Sequence, residues 1–309
     1  LPEGFPSGHQ VYNMTSLKRK QLSRAMVFTG FILPALVAIL ISVEIPFLMS
    51  VFSSFTKWNG LDRAQTFIGL ENYKELILDD MDMWKAFGFT LRLTLGSVIV
   101  TNIAALLLAV LLDSDLKGKN TLRAAYYVPN IISLIIIGYI WRFIFSAGFE
   151  SFYQMTGWKF FMFSWLGDVK LVYFSVLMVS VWHSLGFYLV VYIAGLQTVP
   201  RDLIEAAMID GASSVGRFFR VTLPLIMPSI TVSIFHSLSN GLKAFDVILS
   251  LTNGGPGNST TTIALDIYRT AFVINRFGYG TAKSVILFLI ILILSLFQVR
   301  MFKQREVEV

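Results

Sequence analysis

Apolar residues in this chain gather into long runs instead of alternating with polar ones. A bilayer core about 30 Å thick is crossed by roughly 20 residues of helix. Six runs reach or approach that length: Val27 to Phe52, Phe89 to Leu112, Tyr126 to Ser146, Leu171 to Leu196, Pro224 to Ser250, and Ser284 to Val299. The pattern predicts an all-α polytopic membrane protein with six transmembrane helices. Pro46 is expected to bend the first span or end it early. Lys and Arg in the connections set the orientation. With the N-terminus inside, the inner segments hold Lys18, Arg19, Lys20 and Arg24, then Lys117, Lys119 and Arg123, then Arg201, Arg217 and Arg220, and finally Arg300, Lys303 and Arg305. The outer connections are less basic per residue. Both termini are therefore expected in the cytoplasm, together with the polar connection between the fourth and fifth spans.

That connection is predicted to fold as two short helices. Pro200 suits a first helical turn, Arg201 to Asp210 are mostly good helix formers, and Gly211 is a left-handed terminator. A second helix runs from the N-cap Ser213 to near Val221, because Pro224 disfavours helical geometry at Leu223. Ala206 and Ala207 leave one face low enough for close approach by another protein, with the charge of Glu205 beside them. A hairpin packing on its own spans would read the same way, and composition does not separate the two.

Composition adds exclusions. At 55% hydrophobic and 14% charged residues, with a mean hydropathy of +0.68, the chain has more apolar surface than a soluble core of 309 residues uses. The net charge of +6 is assigned to the inner ends of the spans, not to nucleic acid. Absence of cysteine removes disulfides and thiolate chemistry, and His9, His183 and His236 are too scattered in sequence for a metal site. No Gly-x-x-x-x-Gly-Lys-Ser/Thr phosphate loop is present, so ATP is not bound by that route. Residues 1–13 read as a non-native leader, 14–26 as a cytoplasmic segment, and 27–309 as the six-helix transmembrane domain with the polar loop at 200–223.

Glu205-Ala206-Ala207, Gly211 four residues on, and Val221-x-Leu223-Pro224 resemble the Glu-Ala-Ala signature of bacterial ABC importer permeases, with Val where Ile is usual. Thr252-Asn253-Gly254-Gly255-Pro256, Thr260-Thr261-Thr262 and Tyr268-x-x-x-Phe272 are similar to the outer segment of the carbohydrate-uptake branch, as are Asn72-Tyr73 and Tyr127-Val128-Pro129. The resemblance implies a type I importer permease in a bacterial cell membrane. It would work with a second homologous permease, a pair of cytoplasmic ATPases that bind ATP and Mg, and an extracytoplasmic binding protein. This chain would carry no cofactor, no metal and no catalytic residue. Glu205, Ala206, Ala207, Asp210 and Gly211 would be the coupling residues. Lys283 departs from the small residue expected before the last span.

The fifth span carries Ser233, His236, Ser237, Asn240, Lys243, Asp246 and Ser250 at steps of three and four, which places them on one helix face. Lys243 and Asp246 are expected to pair. The fourth span gathers Ser180, Trp182, His183, Ser184, Phe187 and Tyr188. Sugars are held by hydrogen bonds to hydroxyls and by aromatic rings under their apolar faces, so Ser180, Trp182, His183, Ser184, Phe187, Tyr188, Ser237, Asn240, Lys243 and Asp246 are the expected substrate pathway. The same polar faces would also suit packing against a partner permease, and either histidine would suit a bond to a neighbouring helix. Glu44, Arg92 and Arg142 are read as reaching the headgroups from outer helix ends. A rival reading is a proton-coupled secondary transporter with His183, His236 and Asp246 as relay, which leaves the Glu-Ala-Ala loop without a role. A purely structural membrane subunit leaves the polar faces unexplained.

Overall fold

The computed structural model describes residues 28–114 and 116–304. The expected leader 1–13, the basic segment 14–26 and Arg305 lie outside the described residues. Among the described residues five helices are long and apolar enough to cross a bilayer, six if one bent pair is counted as a single span. In chain order the helices are α1 (Phe28–Ser53), α3 (Met81–Asp113), α5 (Leu134–Thr156), α6 (Leu171–Gln197), the bent pair α8 (Ser214–Leu225) and α9 (Met227–Leu242), and α11 (Phe277–Lys303). Between them lie α2 (Glu71–Leu78), α4 (Lys119–Ile131), α7 (Arg201–Ile209) and α10 (Ile263–Tyr268). A two-stranded ribbon, β1 (Thr56–Lys57) against β2 (Thr66–Phe67), follows α1.

Several spans differ from the hydropathy pattern, each for a local reason. Pro46 does not end α1: the helix passes through a π-helical turn at Leu40–Glu44 and continues past the proline to Ser53. The second span begins at Met81 instead of Phe89, where the Asp80 carboxylate caps it by accepting the Met83 N–H at 2.8 Å. The third apolar run is divided: α4 ends at Ile131 two residues after the internal Pro129, Ile132 is extended, and the long helix α5 starts only at Leu134. The fifth is bent by 70° at Ile226, between Pro224 and Pro228, and stops at Leu242 instead of reaching Ser250. The sixth starts at Phe277, not Ser284.

α3, α6 and α9 pack together as the centre of the bundle. In hydrocarbon such packing rests on close fit and hydrogen bonding more than on exclusion of water. One apolar cluster holds Phe89, Leu93, Val176, Val179 and Val247 towards the expected outer side. Another holds Ala105, Ala109, Leu189, Tyr192 and Ile226 towards the α7 side. Gly186 lets α6 meet α4, since a Cβ there would overlap the Tyr126 carbonyl.

At the outer end the structure gives Lys283 a role that the sequence does not. Its Nζ, on a side chain 3% exposed, lies 2.8 Å from Asp80 and 2.6 Å from Asp266. It also donates to Thr270 Oγ1 at 3.2 Å, while the Tyr279 hydroxyl donates to Asp80 at 2.7 Å. Beside this cluster Arg276 grips Glu75 through both guanidinium nitrogens at 2.7 and 2.6 Å. Burial opposes charge on Asp80, yet Lys283, the Met83 N–H and Tyr279 together hold its carboxyl below the usual range. Burial wins at Asp266, whose carboxyl is pushed up despite Lys283. One ammonium thus joins the cap of α3 to α10 and α11. Lys283→Met would leave two facing carboxylates without a counter-ion and is expected to lower unfolding free energy in detergent by about 3 to 5 kcal/mol. The double variant Lys283→Met/Asp266→Asn should recover part of that loss in the same denaturant titration, and no recovery would contradict the pairing.

Candidate functional site

Polar positions of three central helices meet where the spans are broken. They line a cavity of about 460 Å³. From α6 come Ser180, His183, Ser184, Phe187 and Tyr188; from α9 come His236, Ser237, Asn240 and Gly241. The unwound stretch after α9 adds Lys243, Ala244, Phe245 and Asp246. Nine of the ten residues singled out from sequence therefore border one space. Trp182 is the exception: it does not line the cavity, and its ring meets Trp141 edge-on at 5.5 Å.

Sequence reading missed the wall supplied by α3, namely Leu93, Ser97 and Thr101, and the contribution of Asn130 at the break in the third span. A signal was available. Thr90, Thr94, Ser97 and Thr101 recur at steps of four and three in the second span, the same polar period as in the fifth.

Hydrogen bonds fix the cavity's polar side. The Tyr188 hydroxyl lies 3.1 Å from His236 Nδ1, and Asn240 Nδ2 lies 3.2 Å from His236 Nε2. Phe187 stacks on the imidazole at 4.6 Å between centroids. On the side towards α7, the Tyr192 hydroxyl donates to Asn102 Oδ1 at 2.7 Å, and Asn102 Nδ2 donates to Ser237 Oγ at 3.0 Å. A single amide therefore ties α3, α6 and α9 together beside the cavity. His183 Nε2 sits 3.4 Å from the Ile132 carbonyl, at the break between α4 and α5.

The expected Lys243–Asp246 pair is not formed. Their spacing of three presumes a continuous helix, but α9 ends at Leu242 and Lys243 is its C-cap. Both side chains are exposed, and among the described residues neither has an ion-pair partner. An ammonium and a carboxylate are thus both available at the cavity wall. The break itself is held open by Thr262, whose hydroxyl donates to the Ala244 carbonyl at 2.7 Å while its oxygen also receives the Leu265 N–H at 3.4 Å. Nearby, Thr260 bonds the Gly255 carbonyl at 2.7 Å, and Arg269 reaches the Asn253 carbonyl at 2.7 Å. The outer motif around Thr252–Thr262 therefore braces the interrupted helix.

The second polar feature lies at the other end of α9. α7 begins after the N-cap Pro200, and Gly211 takes the left-handed conformation at φ +78°. Ser213 caps α8 by accepting the Gly216 N–H at 3.2 Å. Instead of stopping near Val221, α8 passes through a π-helical turn at Phe218–Thr222, and Pro224 is accommodated at the start of the next turn. Arg217 pins the connection by donating to the Ala212 carbonyl at 3.1 Å. Ile204 and Leu223 pack into the core cluster, whereas Glu205, Ala206, Asp210 and Gly211 are exposed and Ala207 is half-buried. Beside them Ile209 is 87% exposed and Val215 67%, so the loop presents an apolar tip within a charged surround.

Comparison with known proteins agrees with this architecture. The family described as "Binding-protein-dependent transport system inner membrane component" matches residues 101–306. The chain is 41% identical over 293 residues to the "Probable starch degradation products transport system permease protein AmyD" of Thermoanaerobacterium thermosulfurigenes, covering 94% of this chain and 99% of the relative. It is 36% identical over 289 residues to the "Multiple sugar-binding transport system permease protein MsmF" of Streptococcus mutans, with 94% and 99% covered. A crystal structure of a bacterial ABC transporter involved in the import of the acidic polysaccharide alginate contains a chain of the same fold, at TM-score 0.78 and 22% identity over 92% of this chain and 98% of that one. The chain belongs to the binding-protein-dependent transport system inner membrane component family: it is the non-catalytic membrane permease of an ABC importer.

Proposed function

We propose that this permease carries a carbohydrate inward through the cavity at the breaks in the third and fifth spans, drawing on a separate ATPase through the α7–α8 loop. The convergence of hydroxyls, amides and one unpaired charge of each sign on that cavity is the observation that carries the reading. Lys243 and Asp246 suit sugar hydroxyls, which both donate and accept, and Phe187 and Tyr188 offer ring faces beside them. The names of the starch-product and multiple-sugar relatives support the same substrate class. An extracytoplasmic binding protein delivers the sugar, and a second permease completes the path. The basic inner ends of the spans support cytoplasmic termini. Glu205, Ala206, Ala207, Asp210 and Gly211 face an ATPase that binds ATP and Mg, with Ile209 as the apolar contact at the centre of that surface. Inward and outward access alternate as a rigid-body movement of one permease against the other.

Two sets of variants separate transport from coupling. In a reconstituted complex of permeases, ATPases and binding protein, Asn240→Ala or Asp246→Asn should lower sugar uptake about tenfold, the equivalent of one lost hydrogen bond to the sugar. The ATPase subunits should remain bound. Uptake at the wild-type rate with both variants would overturn the cavity as the path. Conversely, Glu205→Lys or Ile209→Asp should release the ATPase in a pull-down and abolish sugar-stimulated ATP hydrolysis while the permease keeps its unfolding temperature. Full retention of ATPase by both variants would exclude this loop as the coupling surface.

A further inference from the structure

The connection between α5 and α6 folds into an aromatic knob. Phe145 and Phe149 of α5 close on Phe161 and Trp165 of the connection: Phe145 and Trp165 stack at 5.9 Å between centroids, and Phe149 meets Phe161 edge-on at 5.1 Å. Gly157 makes the turn at φ +67°, and a 3-10 turn follows at Lys159–Met162. Those four rings fill the interior of the hairpin. Outside it Phe152, Met155, Trp158, Phe160, Met162 and Phe163 are all more than half exposed, Met155 by 83%. Phe152 and Trp158 each stack on Phe161, at 5.6 and 6.2 Å, so the exposed rings are held in place. A contiguous apolar patch of this kind marks a surface that protein or membrane covers.

The spans give the height of the knob. Ser175 of α6 donates to the Trp165 carbonyl at 2.8 Å. Ser184 is the middle residue of α6 and lines the cavity. Ser175 lies towards the outer end from it, about 14 Å along the axis at 1.5 Å per residue. The hydrocarbon core has a half-thickness of about 15 Å. The base of the hairpin therefore stands where acyl chains give way to headgroups, the level at which amphipathic aromatic rings collect. The exposed face of α5 leads to the same place: Ile136, Tyr139, Ile140 and Phe143 are exposed at steps of three and four, and apolar exposure resumes at Phe152 beyond the π-helical turn at Ile144–Gly148. Arg142 and Lys159 accompany the rings. Both are exposed and without an ion-pair partner among the described residues, and long cationic stems at this level reach lipid phosphates. A soluble protein arriving from the outer side would have to displace headgroups to meet rings at this height.

We propose that the hairpin at 149–165 is a membrane-interface anchor. Its rings sit in the outer leaflet at the boundary of headgroups and acyl chains, with Arg142 and Lys159 on phosphate oxygens. Because Phe145 belongs to α5 and Trp165 is bonded to α6, the anchor fixes the depth of the outer ends of both spans.

The test uses the assembled complex, with its other subunits free of cysteine, in nanodiscs of phosphatidylethanolamine and phosphatidylglycerol. This chain has no cysteine of its own, so each one introduced is a unique labelling site. Nitroxides at Met155→Cys and Phe163→Cys are read by power saturation with oxygen, which partitions into lipid, and with a water-soluble nickel chelate. Both labels should favour oxygen and return a depth of about 15 Å from the bilayer centre. A label at Glu71→Cys, on the exposed start of α2, should favour nickel. Adding Trp158→Glu should shift the label at 163 towards nickel and leave the one at 71 unchanged. Labels at 155 and 163 that favour nickel in the parent complex would overturn the anchor. Shielding from both reagents would overturn it too, assigning the face to the second permease, as would loss of oxygen contact on adding the binding protein, which would assign the face to that protein.

Discussion

A helix end inside a membrane protein frees backbone groups that lipid cannot solvate, and this chain has two such ends, after Leu242 and at Ile132, beside one cavity. At the fifth span Thr262 satisfies the Ala244 carbonyl, and the N–H groups of Lys243 and Ala244 turn back to Asn240 and Gly241 at 3.2 and 3.1 Å. At the third, the Ile132 N–H returns to the Pro129 carbonyl at 3.3 Å, and the Ile132 carbonyl faces His183. Irregular backbone at this depth is tolerated where it is buried in protein or lines a polar space. The breaks therefore require the cavity's polar walls, and the cavity requires the breaks. Without them Lys243 and Asp246 would sit three apart on one helix and neutralise each other.

Bracing of the outer loop follows from the same constraint. Thr262 is held in place because α10, which it caps, is tied by Asp266 to Lys283. The backbone N–H of Ile263 also donates to Thr90 Oγ1 of α3 at 3.0 Å. Asn72 closes the neighbouring corner, with its amide donating to the Ser54 and Thr56 carbonyls at 2.8 and 3.0 Å. Motif residues that seem available for ligand contact are thus occupied by the scaffold. A buried ammonium with two carboxylates is a poor source of net stability compared with apolar packing, but its geometry admits one arrangement of three helices.

The span count, the polar loop and most of the cavity wall were legible because each is written in a helical period that local geometry preserves. The breaks were not. Pro129 and Pro224 both look like punctuation in sequence, yet Pro129 lies inside α4 while Pro224 sits in the helical turn that follows the π-helical Phe218–Thr222. Lys243 and Asp246 illustrate the consequence: their spacing read correctly for a helix and wrongly for a helix end. Lys283 was opaque for a different reason, since its partners lie 203 and 17 positions away in the chain. Trp182 was misplaced because hydropathy does not tell which side of an apolar helix faces a cavity.

One continuous stretch of chain links the exposed loop to the cavity. From the Ser213 cap, α8 and α9 run to Leu242 with a single bend at Ile226, and Ile226 is buried in the same cluster as Leu189 and Tyr192. The 16 residues of α9 cover about 24 Å. Under the importer reading, a push on α7 acts on this bent lever at its fulcrum and not through a chain of loops. The other end of the lever is Asn240 and the break at Lys243. Asn102, bonded to both Tyr192 and Ser237, keeps α3 and α6 moving with it. In that reading the cavity wall travels as one body, and access changes by displacement of that body and not by deformation of the wall.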